Sequence, residues 1–425
     1  MKTVVIGAGL LGITSAYFLR RHGAEVTVLE HHDQPAQGAS FGNGGYCQAS
    51  APDPWNGPGA LRRFAGAWWN GLSGQGDESA FVVRNRAIPA LTQWGMGFFR
   101  NSTEQIFLDH MLKNRSLAQY TLKVLNKLNQ QEPLDYAWSG NGGLVIFRDE
   151  PSLKMYTGIA EHVAAQGSRF NVLDRDALLT QEPSLTDIGD KLTGAVHFPD
   201  DRSGNARMFC EQLAAIAEKQ GAQFHYGAGV TKIERTASGI RIETAQGAVD
   251  ADRVVVAAGV HAGQLLKPLG ITLPVRPAKG YSISVPMARW SPRPAHVIAD
   301  MGPHIGANPL GDTLRVAGVA EFTGISPGVS ARRTRYLLDL LRQVFPTLAE
   351  SVDMADINPW GGHRPLSIDG LPIIGATPVK GVYVNTGHGG LGWTQAAGSS
   401  KALADHMVGE PEGFDISDYS INRFT

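Results

Sequence analysis

Apolar positions recur along this chain in two periods, and their alternation sets out its elements. Continuous apolar runs over 3–6 and 26–29 predict two buried strands, with an apolar helix between them over 10–22. Residues 31–60 are loop-rich. Helical spacing pervades 78–130, most clearly over 106–112 and 117–128. Further strands are predicted over 144–147, 196–198, 223–226, 230–234 and 240–244, and helices over 156–166 and 206–219. A buried strand over 254–258 ends on Gly259. Four strands are expected between 281 and 319, then a helix over 331–344. The chain closes with a strand over 382–385, a glycine turn and a helix over 391–408. No internal repeat interrupts this order.

The elements are discontinuous in type. A cofactor domain built from 1–60, 150–262 and 345–425 is interrupted by a strand-rich lobe at 61–149 and 263–344. The fold class is therefore α/β, a Rossmann-like domain with a discontinuous α+β substrate domain. A nicotinamide-binding domain is usually one block, so this organisation favours a flavin, whose long body is gripped from several segments.

Composition removes several alternatives. Formal net charge is −1 with no long run of one sign, which gives no basis for a nucleic-acid partner. Cys47 and Cys210 are the only cysteines and form no C-x-x-C pair, which fits a reducing, cytoplasmic setting. Lys2 and the apolar stretch after it mimic a signal peptide, but Gly7, Gly9 and Gly12 break the run and no cleavage site follows. No uninterrupted apolar stretch of roughly 18 residues is present to span a membrane. No metal-ligand cluster or Ser-His-Asp set shows in the spacing.

Gly7, Gly9 and Gly12 form G-x-G-x-x-G between strand and helix. The first allows a tight turn, the second lets backbone approach a pyrophosphate, and the third lets helix and strand pack closely. N–H groups of the helix start, around Leu10 and Leu11, then face the phosphates. Glu30, at the tip of the second strand, suits a ribose diol and disfavours a 2′-phosphate.

Three later stretches carry a family likeness: Ser40-x-x-Asn43-x-Gly45 with Pro54-Trp55 and Pro58-Gly59; Pro274-Val275 through Lys279-Gly280-Tyr281-Ser282; and Arg364-Pro365, Asp369-Gly370-x-Pro372 and Asn385-Thr386-Gly387-His388-Gly389-x-Leu391-Gly392-Trp393-Thr394. With these the chain resembles, over essentially its whole length, the small subunit of flavin-dependent D-amino acid dehydrogenases within the D-amino acid oxidase superfamily. The resemblance implies FAD as cofactor and oxidative deamination of a D-amino acid to a 2-oxo acid and ammonia. It further implies a quinone or other respiratory carrier as electron acceptor, a partner subunit, and peripheral contact with the inner face of the cell membrane. Ser40, Asn43, Gly44 and Gly45 are implied to lie against the flavin, and Val230 to meet adenine through its backbone. Ala258, Gly259 and Gly362 are implied as further cofactor contacts, as are Gly389, Gly390, Leu391, Gly392, Trp393 and Thr394. The last group is a glycine turn feeding a helix N-terminus, suited to the electron-rich pyrimidine edge.

Arg364 is the candidate carboxylate partner, since its guanidinium fork stays charged and binds carboxylates bidentately. Tyr281 is a candidate pocket wall, with strand packing as the alternative, and His388 either bonds the flavin or fills space. Tyr46, His363 and the segment holding His304 depart from the family pattern and are expected near the substrate. They leave the substrate open, a cyclic or polar D-amino acid such as D-proline or a hydroxyproline isomer included. Cys47 is expected to be a buried thiol rather than a covalent flavin link. The Trp55–Trp69 stretch mixes basic and aromatic residues, as a membrane contact or an interdomain packing face would. Alternative readings are a glycine, sarcosine or proline oxidase or dehydrogenase, a non-catalytic electron-transfer or assembly flavoprotein, and a nicotinamide dehydrogenase.

Overall fold

The computed structural model describes residues 1–73, 78–410 and 413–424. Its cofactor half is a six-stranded sheet in the order Ile373–Ala376, Val382–Thr386, Arg253–Val256, Lys2–Ile6, Glu25–Leu29, Gln223–His225. All neighbours are parallel except the outermost pair, Ile373–Ala376 with Val382–Thr386. Continuous apolar runs are what a sheet covered on both faces requires, and Val4, Val5, Val254 and Val255 are fully buried.

One face of this sheet is covered by three helices whose sequences permit close approach. Gly392–Val408 is buried along most of its length and lies between Leu10–Arg21 and Glu104–Gln131. Its small residues let backbones come together: Thr14 Oγ1 donates to Ser400 Oγ at 2.7 Å, and Gly398 N donates to Thr121 Oγ1 at 3.2 Å. The two helical stretches read over 106–112 and 117–128 are one helix, capped by Thr103. Within 78–130, Phe81–Val83 is a strand that docks on the other lobe.

The substrate lobe is a nine-stranded sheet. Its order is Asn358–Ser367, Val275–Pro286, Thr313–Phe322, Ile305–Leu310, Val297–Asp300, Gly143–Phe147, Gly194–Phe198, Asn171–Asp174, with Phe81–Val83 added beside Thr313–Phe322. The helix Ala331–Val344 packs its Leu337, Leu340 and Leu341 against one face.

This pairing corrects three of the expected boundaries. Asn171–Asp174 and Gly194–Phe198, placed in the cofactor domain as part of 150–262, complete the substrate sheet. Asn358–Ser367, placed in 345–425, is that sheet's edge strand. Helix Glu104–Gln131, placed in the inserted lobe, shares the cofactor core through Leu117, Leu122 and Leu125. Strand pairing and helix burial decide membership here, and neither follows the order of the chain.

A methyl group at Gly398 would land on Thr121, whose backbone N and Cα would lie 3.0 and 3.1 Å away. Gly398→Ala is therefore expected to cost about 1–3 kcal/mol of stability through overpacking. Thermal denaturation followed by circular dichroism measures it.

Candidate active site

The first strand, its turn and the following helix form a cradle that only glycine allows. Gly7 has φ +104°, and a Cβ there would lie 2.8 Å from the Ala257 carbonyl oxygen. A Cβ at Gly12 would overlap the Gly7 carbonyl, so helix and strand touch backbone to backbone. Gly9 ends in extended backbone, and its helix has no acidic residue in the first turn. Ser40 Oγ accepts from Leu10 N at 3.0 Å, which leaves the N–H groups of Leu11 and Gly12 facing outward from the helix start.

Glu30 closes the cradle. Its carboxylate accepts from Ala8 N at 2.6 Å, His32 N at 2.9 Å and His31 Nδ1 at 2.8 Å. Burial raises its pKa, but these donors outweigh burial and hold it below the usual carboxylate range. Glu30, His31 and His32 also bring three metal-ligand atoms within 4.8 Å of one another, the one such grouping among the described residues. Ala228 N donates to the Glu30 carbonyl at 2.7 Å and Gly229 abuts His31, which places Val230 beside this acid. Ala258 and Gly259 follow the strand whose Ala257 carbonyl packs on Gly7, and Thr386 Oγ1 donates to the Gly259 carbonyl at 3.0 Å.

The loop 40–45 is clamped from the other lobe. Arg315 Nη1 donates to the Asn43 carbonyl at 2.9 Å, Asn308 Nδ2 to the Gly44 carbonyl at 2.9 Å, and Ser282 Oγ to the Gly42 carbonyl at 2.8 Å. Asn43 Oδ1 meanwhile accepts from Gly45 N at 2.8 Å. Both lobes thus meet along the loop predicted to flank a flavin.

At the far end, Gly387 and Gly389 take positive φ values of +81° and +54° and turn the chain into the helix Gly392–Val408. That helix start has no side-chain cap, so its N–H groups are available to a ligand. Leu391 N bonds the His388 carbonyl, and Thr394 Oγ1 accepts from Gln48 N at 3.2 Å. His388 is buried, and burial pushes its pKa down to about 3, so the imidazole is neutral. Its Nε2 pairs with Ser399 Oγ at 3.2 Å, while Nδ1 is buried with no well-aligned hydrogen bond, the Thr386 backbone being its nearest acceptor. Gly390 packs on the indole nitrogen of Trp55. Trp393 was expected at the cofactor, but its ring sits among Tyr136, Trp138 and Phe209 in the core. Only its backbone belongs to the helix start.

Arg364 lies deep between the lobes. Val275–Pro286 and Asn358–Ser367 pair so that Gly280 faces Gly362 and Ala278 faces Arg364. The guanidinium lies where a Gly280 side chain would be. It donates to the Val319 carbonyl at 3.1 Å and lies 5.6 Å from the Trp55 ring centre. No acid pairs with it among the described residues, and burial alone holds its pKa down at about 10, so it is cationic near neutrality. Val319 is the extra residue of a β-bulge and takes φ +66°, an uncommon conformation for a β-branched residue. The bulge is what aims its carbonyl at Arg364.

Strand alternation then separates residues expected together. Odd positions of Val275–Pro286 point away from Arg364. Tyr281 accordingly donates to Glu321 Oε2 at 2.7 Å on the opposite face, with Lys279 and Arg333 over its ring. It does not wall the Arg364 site. His363, directly opposite Lys279, shares that far face and accepts from Ser326 N at 3.1 Å, its pKa down at about 4 through burial and then Lys279. His304 is exposed at a hairpin turn, and its carbonyl faces Gly318 on the side of Leu337 and Leu340. Tyr46 donates to Asp201 Oδ2 at 2.5 Å, and its ring fills the space beside Gly143 rather than reaching Arg364. Gly362 makes room for the Trp360 indole, which also covers Gly42. Cys47 is buried, and its thiol is pushed up by burial and by Asp201, which leaves it protonated.

Asp53 and Ser367 were missed by the sequence reading, although Pro52 and Pro54 flank Asp53. They line a small cleft of about 10 Å³ with Trp55, Leu366, His388 and the glycine turn. Asp53 Oδ1, Ser367 Oγ and His388 Nδ1 are all buried without a well-aligned hydrogen bond.

A glycine-held cradle suited to phosphate, an acid suited to a ribose and a second uncapped helix beside a small cleft point to a flavin-type oxidoreductase. The chain belongs to the FAD dependent oxidoreductase family, whose model matches residues 2–406. It is 32% identical to a D-amino acid dehydrogenase of Vibrio vulnificus over 99% of this chain and 100% of that protein. A D-amino acid dehydrogenase of Sinorhizobium medicae is 35% identical over the full length of both. Among solved structures, glycine oxidase from Geobacillus kaustophilus superposes with a TM-score of 0.75 at 21% identity, over 99% of this chain and 98% of that one. L-proline dehydrogenase from P. horikoshii gives 0.72 at 17%, over 100% and 97%. These two likenesses concern the fold.

The residues present fit FAD. Gly7, Gly12 and the N–H groups of Leu11 and Gly12 suit the pyrophosphate, Glu30 the ribose, and the turn with its buried His388 Nδ1 the flavin. Glu30→Ala is expected to weaken FAD binding roughly tenfold to a hundredfold, from loss of charge-assisted hydrogen bonds. Fluorescence titration of the apoprotein with FAD reads this directly.

Proposed function

We propose that the chain oxidises the Cα–N bond of a D-amino acid, giving an imine that water hydrolyses to a 2-oxo acid and ammonia. The observation that carries this reading is Arg364, a half-buried cation that no acid pairs among the described residues. Such a group is costly unless a ligand supplies the missing charge, and a substrate carboxylate does so bidentately. The substrate named for the full-length relatives, a D-amino acid, has this group. A non-catalytic flavoprotein subunit would have no use for it.

FAD, when bound, supplies a two-electron acceptor. The chain's own residues position and enclose. Arg364 anchors the carboxylate, the Val319 carbonyl holds the guanidinium in place, and the Trp55 ring covers it. The positive end of the helix Gly392–Val408 favours negative charge at the glycine turn. His388, neutral at working pH, offers a hydrogen bond there without adding charge. Fixed groups of this kind lower a barrier mainly by orientation and electrostatic preorganisation.

Electrons pass on to a quinone or a similar carrier in this reading. A route to one is offered by the helix Ala60–Leu72, where Leu61, Trp68, Trp69 and Leu72 are exposed beside Arg62 and Arg63. Exposed tryptophans with basic neighbours suit the headgroup region of an anionic bilayer. No helix of the described residues is long and apolar enough to cross a membrane, so contact would be peripheral.

Arg364→Ala is expected to raise the KM for D-amino acids roughly tenfold to a hundredfold, with flavin absorbance retained. Steady-state kinetics on the holoenzyme, with D-alanine, D-proline and hydroxyproline isomers tested first by anaerobic bleaching, decide it; an unchanged KM removes Arg364 from the site. For the membrane face, wild-type protein should sediment with anionic lipid vesicles and Trp69→Glu should sediment less. Wild-type protein left in the supernatant would refute that contact.

A further inference from the structure

We propose that Asp53 receives the amino group of the substrate and takes up the proton that the ammonium must lose before oxidation. The inference rests on the D-amino acid reading above. An amino acid has one carboxylate and one ammonium, and Arg364 accounts for the first alone.

Asp53 stands in Ala51-Pro52-Asp53-Pro54-Trp55, between two residues whose φ is fixed. It lines the cleft shared with Trp55, Ser367, His388 and the glycine turn. Trp55, two residues along, is the ring that lies 5.6 Å from the Arg364 guanidinium. Asp53 Oδ1 is buried with no hydrogen-bond partner, and no cation pairs with this carboxyl among the described residues.

Other buried acids differ in this respect. Glu30 has three donors, and Glu182 is met by Ser184, Ala295 and His296. Asp201 is met by Tyr46, Ala49 and Ser50, and Glu321 by Tyr281 and Arg84. A buried carboxyl oxygen left without a donor, as Asp53 Oδ1 is, is a cost that a ligand's N–H groups remove. Burial alone pushes the Asp53 pKa up to about 7, a value suited to accepting a proton near neutrality.

The groups that face Asp53 are few. Tyr46 and Tyr156 both feel the charge of Asp53, and Asp201, bonded to Tyr46, adds to it at both tyrosines. His388, across the cleft, is neutral, and Arg364 lies beyond Trp55. In the step itself one N–H bond of the ammonium breaks and an O–H bond forms on Asp53. The electron pair of the broken bond stays on nitrogen as the lone pair that Cα–H cleavage requires.

The test is the pH dependence of kcat/KM in the holoenzyme, with whichever of D-alanine and D-proline bleaches the wild-type flavin faster. In wild type the activity should rise with pH to a plateau above about 7. In Asp53→Asn the rise should move up to the amine's own pKa. The variant should then be more than tenfold slower at pH 7 and approach wild type near pH 10, with flavin absorbance intact. Acetate added to Asp53→Ala should restore part of the activity at pH 7.

A wild-type profile with no rise near pH 7, or an Asp53→Asn profile that superimposes on wild type, overturns the proposal. The wild-type profile needs no variant to fold. Failure of every D-amino acid to bleach the wild-type flavin would instead sink the substrate reading, which separates the two outcomes.

Discussion

A half-buried guanidinium that no acid pairs among the described residues stands at the junction of the two lobes, and the strands around it are shaped to hold it. Isolated charge in a low-dielectric interior is unfavourable by several kcal/mol unless it is compensated. Arg364 has one backbone carbonyl and the face of one indole as its permanent company. The surroundings are shaped to keep it there. Gly280 leaves the space that the guanidinium fills, and a bulge with φ +66° at Val319 turns a carbonyl toward it. Backbone held in such a conformation is typical of sites where geometry serves a ligand rather than stability.

The same strand pair divides labour between its faces. Ala278, Gly280, Ser282, Trp360 and Arg364 point toward the cofactor half, where Ser282 bonds the Gly42 carbonyl and Trp360 covers Gly42. Lys279, Tyr281 and His363 point to the other side, into a network of Glu321, Arg333 and the carbonyls of Ser326, Pro327 and Gly328. One face is turned to the cofactor half and the other fastens the lobe together. The lobes are joined where Arg315 and Asn308 hold the 43–44 carbonyls, so the cofactor loop is shaped partly by the substrate sheet.

Much of the cofactor half was legible in the residues alone. A strand, three spaced glycines, a helix and an acid lie within the first thirty residues, so their spacing is readable from the sequence. The closing glycine turn was legible for the same reason, since positive φ and an uncapped helix start are local properties. The substrate lobe was less so. Its strands were recognisable as strands, yet 171–174, 194–198 and 358–367 were assigned to the wrong half, because partners in a sheet are chosen by packing across long separations.

What the chain by itself determined is the α/β class and the strand, glycine turn and helix at each end of the cofactor half, which follow from short-range backbone chemistry. Tertiary structure alone decided which face each neighbour of Arg364 occupies, so that Tyr281 and His363 left the site. It alone turned Trp393 into core, gave the space at Gly362 to Trp360, and brought Asp53 into the cleft beside His388. The physical reason is that a side chain's direction depends on strand register and a one-residue bulge, and its partners on segments brought together only by folding.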